Sequence, residues 1–137
     1  MYSEVGVQFL VNRGAAARDD LWIAGLDDPV SGTPDLDQAL QGAPAAAFKL
    51  VLMHAPDYFP KIAGRFDLAL AGHSHGGQIV LPGWGPLLLP EGGRRYVRGW
   101  FTQNGSHLFV NRGVGTGAIP ARLLARPELA IIEVRLP

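Results

Sequence analysis

Three histidines follow apolar runs of the sequence, at points where buried strands would end. His54 closes residues 50–53, while His73 and His75 follow residues 68–71 on a glycine-rich turn. Neutral imidazole is the commonest side-chain ligand for zinc, and it also binds other first-row metals. Three imidazoles that converge on one pocket would therefore form a metal site.

The segment between His54 and His73 decides whether these side chains meet. It has room for one helix and one strand, and a strand–helix–strand unit of this kind makes its two strands parallel. Both apolar runs lack alternation, which is typical of strands that are covered on both faces of a parallel sheet. Parallel neighbours end at the same edge, where open α/β sheets place their ligand sites. We therefore expect His54, His73 and His75 to lie at one sheet edge.

Two carboxylates follow a third apolar run, at residues 21–25. In one interpretation, Asp27 and Asp28 bind the metal through their oxygens, or they accept a hydrogen bond from the N–H of a ligand histidine without binding the metal. In the other, they only form a turn, which aspartate favours. His107 has no comparable neighbours, and we interpret it as a structural or surface residue.

The composition excludes several classes of protein. The chain has 137 residues, enough for one domain with a core, and it has no cysteine for disulfides or thiolate metal sites. Its 12 basic and 12 acidic residues leave no net charge to attract nucleic acid. No apolar stretch reaches membrane-spanning length, and the N-terminus lacks the pattern of a signal peptide. We expect a cytoplasmic or membrane-peripheral protein, in which a hydrophobic fraction of 47% indicates surface that something else covers.

The remaining pattern predicts an α/β fold with short elements. We expect Asp35 to cap a helix that ends near residue 41, and Asp57 to cap another that ends near residue 64. The dipeptide at residues 104–105, Asn-Gly, is a strong hairpin signal. Strands are predicted at residues 5–12, 21–25, 49–53, 67–71, 78–81, 96–103, 107–111 and 128–136, with a long loop or lid at residues 82–93.

The order of the histidines resembles that of a known family. The stretch Gly72-His73-Ser74-His75, with the isolated His54 before it, resembles the C-terminal half of calcineurin-like metallophosphoesterases. Three further stretches look like the branch of small bacterial phosphoesterases that act on lipid or cell-wall phosphodiesters. They are residues 25–29, 76–79 and 113–128. The resemblance covers essentially the whole chain.

The resemblance implies a two-metal hydrolase on a four-layer α/β/β/α sandwich with mixed sheets. His54 and His73 would bind one divalent metal and His75 the other, and the sequence does not distinguish Mn, Fe or Zn. A metal-activated water would hydrolyse a phosphate ester, either a diester or a monoester. A lipid-like phosphodiester is one candidate substrate, because Trp84 and the leucines at 87–89 would form an apolar lip. Core packing beneath their loop is the alternative interpretation of these residues.

The chain departs from the family in lacking the motifs of the family's first half. It contains no Asp-x-His, no Gly-Asp-x-x-Asp and no Gly-Asn-His. Residues 1–137 are therefore expected to be a partial domain that carries the C-terminal ligands without a bridging carboxylate. Two closely spaced dications need such an anion to offset their repulsion. We expect no two-metal activity from this chain alone, an uncovered apolar face, and self-association through exposed sheet edges.

Three functions remain open at this point. The first is a partial metallophosphoesterase, and the second is a non-catalytic fragment or pseudoenzyme that binds at most one metal. A third hypothesis is a mononuclear zinc hydrolase built on His54, His73 and His75 with an open water position. That hypothesis requires Asp27 or Asp28 as its general base, since the motif contains no stronger candidate.

Overall fold

The computed structural model describes residues 6–117 and 119–135, which form a mixed α/β fold. The α/β class expected from the sequence is thereby confirmed. Every helix in these residues is short, and none has the length and apolarity needed to cross a membrane. The elements are β1 (Arg13–Arg18), β2 (Leu21–Gly25), α1 (Leu36–Ala39), β3 (Phe48–Leu52), α2 (Phe59–Ile62), β4 (Leu68–Ala71), β5 (Val80–Leu81), β6 (Gly85–Pro86), β7 (Gly99–Gln103) and β8 (Ser106–Val110).

A six-stranded sheet organises the chain, in the order β1-β2-β3-β4-β8-β7. The four inner strands are parallel, while β1 and β7 run antiparallel at the two edges. The expected parallel pairing of β3 and β4 is confirmed, with Leu52 opposite Leu70. All four inner strands therefore end at one edge, which we call the carboxyl edge.

One face of this sheet, which we call the helix face, carries the core. Trp22, Val51 and Leu108 project from three of its strands into the same cluster as Phe59 of α2 and Leu36 of α1. Of these, Val51, Phe59 and Leu108 have no exposed surface. Burying a side chain of this size contributes about 1.5–3 kcal/mol, so this face provides most of the fold's stability.

The opposite face, which we call the open face, is apolar but less covered. The parallel registers place Ile23, Leu50 and Leu68 in one row across the strands, and Leu52, Leu70 and Phe109 in the next row. Leu52 remains 40% exposed, and Trp100 of the edge strand covers Phe109, with 4.8 Å between their ring centroids. The uncovered apolar face expected from the sequence is therefore present in part.

Local signals place several elements where the sequence predicts them. Asp35 caps α1 by accepting a hydrogen bond from the Gln38 N–H at 2.9 Å. Asn104 and Gly105 adopt φ values of 52° and 82°, as the tight hairpin between β7 and β8 requires. The strand predicted at residues 78–81 shrinks to β5, paired with β6.

The strand predicted at residues 5–12 is wrong in its described part, because β1 instead occupies residues 13–18. Small residues allow this pairing. A Cβ added at Gly14 would lie 2.1 Å from Nε1 of Trp22, so only glycine lets β1 pack there. Residues 6–12 instead cross the end of β2, where a Cβ on Gly25 would lie 2.3 Å from the carbonyl oxygen of Leu10.

Two further predictions are wrong. The described residues 128–135 form no strand, and Ile131 is 96% exposed. An alternating pattern forms a strand only where another strand pairs with it. Here β1 and β7 are the edge strands of the sheet, and neither pairs with residues 128–135. Asp57 caps no helix, because its carboxylate accepts hydrogen bonds from the N–H groups of residues 94–96. Residues 5 and 136, which belong to these two predicted strands, lie outside the described residues.

Candidate metal site at the carboxyl edge

His54 and His73 lie side by side at the carboxyl edge. Each follows its strand by two residues, and the Gly72 N–H donates to the carbonyl oxygen of His54 at 3.3 Å. This bond extends the parallel pairing of β3 and β4 beyond the strands. The two ring centroids are 4.2 Å apart, with an interplanar angle of 54°. The structure therefore brings this predicted pair together.

The backbone of the motif turns through an unusual conformation. His73 and His75 have φ values of 66° and 51°, in the left-handed region that disfavours side chains other than glycine. Residues held there are common at functional sites, where the surrounding structure offsets the strain. Ser74 supplies part of that support, because its buried hydroxyl donates to the carbonyl oxygen of Val97.

A glycine pair follows the second histidine for steric reasons. A Cβ added at Gly76 would lie 2.5 Å from Cγ of Arg112, and one at Gly77 would lie 2.8 Å from Cβ of Pro86. Both glycines also have positive φ values. Any side chain at either position would push the turn away from its neighbours and displace His75.

Each histidine of the motif makes a polar contact outside the ring pair. Nε2 of His73 lies 2.8 Å from the carbonyl oxygen of Glu91, and Nδ1 of His75 lies 2.9 Å from Oε1 of Gln78. Since a carbonyl oxygen only accepts, His73 donates through Nε2 and keeps its Nδ1 lone pair free of that bond.

The two aspartates differ in how they relate to the histidines. Asp27 closes its own loop, because its carboxylate accepts from the N–H groups of Asp28 and Thr33 at 2.8 and 2.9 Å. Asp28 accepts from the hydroxyl of Ser31 at 2.6 Å and from the N–H of Val30 at 3.0 Å. Both therefore form the turn that one sequence interpretation predicted.

Asp28 also faces the histidine pair electrostatically. The Ser31 hydroxyl and the Val30 N–H hold the pKa of Asp28 below its usual range, and the charges of His54 and His73 add to that shift. In turn, loss of water around the ring lowers the pKa of His54, and His73 lowers it further, whereas Asp28 opposes the shift. His54 is thus biased toward the neutral imidazole, which is the metal-binding form.

A cavity of about 490 Å³ opens beside the motif. His73, His75 and Gln78 contribute its polar side, while the leucines at 87–89 and Ile79 contribute its apolar side. Trp84 does not line it. That side chain is 90% exposed, at the turn between β5 and β6. The structure thus brings the leucines of the predicted lip to the site and leaves the tryptophan out.

These residues have the right chemistry for a metal site, but too few of them are placed around one point. The imidazoles are suitable donors, and the ring centroids of His54 and His73 are 4.2 Å apart. However, no group of three His, Cys, Asp or Glu side chains within residues 6–117 and 119–135 is placed to hold a metal.

Two residues near the motif were missed by sequence reasoning. Gln78 contacts His75, and Arg122 donates to four backbone carbonyl oxygens, including that of His75 at 3.1 Å and that of Arg112 at 2.8 Å. Arg122 also reaches Gly115 and Ala125. It thereby ties the glycine-rich segment after β8 to the motif. The position of Gln78, three residues after His75, was the available signal for that residue. Nothing in the sequence near Arg122 indicated its role.

Comparison with curated proteins identifies relatives in several bacteria. An uncharacterized metallophosphoesterase of Bacillus subtilis, YkuE, is 39% identical over 114 residues, which cover 82% of this chain and 40% of that protein. One from Aquifex aeolicus is 31% identical over 136 residues, which cover 93% of this chain and 51% of that protein. The phosphodiesterase YaeI of Escherichia coli is 38% identical over 87 residues, which cover 63% and 32%.

The matches are partial on the relatives' side, since the chain spans about 40% of the length of the first of these proteins and about half of the length of the second. No protein-family model matches the sequence, and no solved structure matches it significantly. Over the part of the relatives' length that it spans, the chain is similar to proteins named metallophosphoesterases and phosphodiesterases, and this similarity supports the calcineurin-like metallophosphoesterase family.

Proposed function

We propose that this chain contributes metal ligands to a metal-dependent phosphoesterase. His54, His73 and His75 are the proposed ligands, with His54 and His73 serving one ion and His75 another. The observation that carries the proposal is the pair of imidazoles 4.2 Å apart at the carboxyl edge, in a chain whose relatives are named metallophosphoesterases. This edge is where parallel sheets bind ligands.

Divalent metals at such a site would supply Lewis-acid chemistry and an activated water for attack on a phosphate ester. The chain's own residues orient the ligands. The Glu91 carbonyl oxygen fixes His73, the turn at residues 72–78 holds both histidines of the motif, and Asp28 adds negative charge beside them. We propose Mn, Fe or Zn, since these side chains suit all three.

We propose further that the centre is complete only with ligands other than those described. Three imidazoles do not balance two dications, and Asp27 and Asp28 are engaged in their own turn. Residues 1–137 would accordingly be a partial domain of a four-layer sandwich, inactive alone. The partly exposed leucines of the open face support this, because parallel strands are usually covered on both faces. Without that cover, the exposed sheet edges would favour self-association.

The proposed substrate is a phosphate ester with an apolar portion, such as a lipid-like phosphodiester. The support is the cavity beside the motif, where the leucines at 87–89 face the same space as His73 and His75. A Leu88→Ser variant is expected to lose hydrolysis of a lipid-like diester and to keep hydrolysis of a small aryl phosphodiester in a protein that is active on both. Equal loss on both substrates would contradict an apolar subsite.

The test of the main proposal measures bound metal per chain after loading with Mn, Fe or Zn, beside hydrolysis of an aryl phosphodiester. The wild-type chain is expected to bind at most one ion without turnover, and His73→Ala to bind less. A His107→Ala variant is the matched control, since His107 lies in β8 and bonds Thr102. Equal binding by His73→Ala and the wild type would contradict the ligand assignment.

A non-catalytic chain that binds at most one metal is the second candidate. The observation in its favour is the lack of a three-ligand group within the described residues. The two candidates differ when the missing ligands are supplied by the remaining length of a metallophosphoesterase. Turnover that then appears and depends on His73 would favour the enzyme, whereas metal binding without turnover would favour the second candidate.

A further inference from the structure

The side-chain amide of Gln78 contacts His75 and also bonds two backbone groups. Its Oε1 accepts from the N–H of Gly117 at 2.7 Å, and its Nε2 donates to the carbonyl oxygen of Ile119 at 2.6 Å. The same Oε1 lies 2.9 Å from Nδ1 of His75. Gln78 thus links the second histidine of the motif to the segment that follows β8.

These two backbone partners determine which way the amide points. An N–H group can only donate and a carbonyl oxygen can only accept, so Oε1 must face Gly117 and Nε2 must face Ile119. A flipped amide would place two donors together at Gly117 and two acceptors together at Ile119. The atom facing His75 is therefore an acceptor.

From this arrangement we infer that Gln78 is a positioning residue that holds His75 in its Nδ1–H tautomer. Nδ1 must carry the proton, because an unprotonated Nδ1 would place its lone pair 2.9 Å from the lone pairs of Oε1. The ring then keeps an unprotonated Nε2. The inference rests on the proposed function in one respect only, namely that this Nε2 lone pair is the one offered to a metal.

The backbone of Gln78 supports the assignment. Its φ is 45°, so three residues of one short turn, His73, His75 and Gln78, have left-handed φ values without being glycine. Such strain is retained where surrounding contacts hold it. Here the Gln78 N–H donates to the carbonyl oxygen of His75 at 3.1 Å, so backbone and side chain both return to the same histidine.

The two histidines of the motif consequently differ in the nitrogen they present. His73 donates through Nε2 to the carbonyl oxygen of Glu91 and keeps a lone pair on Nδ1, whereas His75 donates through Nδ1 and keeps one on Nε2. Hydrogen bonds of this kind commonly select the nitrogen with which a histidine binds a metal. Gln78 therefore sets an asymmetry that the His-x-His spacing alone does not specify.

The experiment records imidazole ¹⁵N–¹H correlation spectra of the metal-free chain, at a pH above the imidazole titration range. The variants are Gln78→Met, which removes the acceptor, and Gln78→Glu, which keeps one. His107 is the internal control, because its own partner is Thr102. The His75 signals are assigned by their loss in His75→Ala.

We expect His75 to be protonated on Nδ1 in the wild type and in Gln78→Glu. In Gln78→Met we expect the Nε2–H form to predominate, as it does in free histidine, with no change at His107. A wild-type His75 that is protonated on Nε2 would overturn the inference, whether or not the variants fold. The inference is also overturned if Gln78→Met folds and its His75 keeps the wild-type tautomer.

These spectra need no metal and no substrate, so they separate this inference from the proposed function. If the chain shows the expected tautomers but binds no metal, the positioning role stands and the ligand assignment fails. If it binds metal through His73 while His75 is protonated on Nε2, the ligand assignment stands and the role of Gln78 fails.

Discussion

The two faces of the six-stranded sheet are built from the same strands, yet they differ in how they are covered. In β3, Val51 on the helix face has no exposed surface, while its neighbour Leu52 on the open face is 40% exposed. Both are aliphatic residues in an unbroken apolar run. The difference arises because α1 and α2 cover only one face among the described residues. The lesson is that an apolar run indicates a strand suited to burial on both sides, whereas burial itself depends on what packs against it.

The candidate site lies where these faces meet, at the carboxyl edge. A hollow on the open face reaches His54, and it is lined by Leu52, Leu70 and the Leu10 segment. The cavity described above is lined by His73 and His75. Cover added to the open face would therefore also close one side of the histidine pair.

The largest expected change in the free energy of unfolding comes from truncating leucines on the two faces. Leu108→Ala on the helix face removes a side chain with no exposed surface and should lower the free energy of unfolding by about 2–5 kcal/mol. Leu52→Ala should lower it by about 1 kcal/mol, because much of that side chain is already in water. Denaturant unfolding of both variants measures the difference. Equal losses would mean that the open face is packed like a core.

A second test concerns the loop that runs beside α2 to the edge strand β7. Asp57→Ala removes the acceptor of three backbone N–H groups, at residues 94–96, and should cost about 2 kcal/mol. Asp57→Asn keeps one oxygen acceptor and should cost less. Unfolding free energies of the two variants test this order. A cost below that of Leu52→Ala would show that the loop is not held by this carboxylate.

A third test uses pH on the segment that leaves the sheet after β8. Arg112 lowers the pKa of Glu128, first through its guanidinium and then through its N–H. A carboxyl with a lowered folded pKa adds stability above its unfolded pKa and loses it as the pH falls through the folded value. Glu128→Gln should therefore cost about 1 kcal/mol at about pH 7 and nothing at about pH 2. A pH-independent cost would contradict the ion pair.

The smallest expected effect is at the exposed tip of the second sheet. Trp84→Ala should change the free energy of unfolding by less than about 0.5 kcal/mol, because the side chain is 90% exposed. Phe59→Ala is the aromatic control on the helix face, with an expected cost of about 3–5 kcal/mol. A large cost at Trp84 in the same unfolding experiment would place that residue in a packed contact and support the alternative interpretation, core packing beneath the loop.

The parallel centre of the fold could be predicted from the sequence because its signals are local. Continuous apolar runs specify β3 and β4, and the short segment between them leaves one way to connect two parallel neighbours. The same logic brings His54 and His73 to one edge, where their rings are adjacent. The Asn104-Gly105 turn and the Asp35 cap were predictable because each depends on a few consecutive residues.

The terminal segments could not be predicted, because their structure depends on distant partners. Residues 6–12 and 128–135 have strand-like patterns, but β1 takes the place beside β2 through the close fit of Gly14 to Trp22. Asp57 reads as a helix cap until a loop nearly forty residues later supplies its donors. The role inferred for Gln78 depends in the same way on Gly117 and Ile119.

The role of the three histidines is decided by the metal content of the purified chain, measured beside aryl phosphodiester hydrolysis in the same samples for the wild type and for His73→Ala. We predict at most one ion per wild-type chain, a smaller amount in His73→Ala, and no turnover. Two ions per chain with turnover that disappears in His73→Ala would contradict this prediction, since the described residues alone would then form a complete catalytic centre.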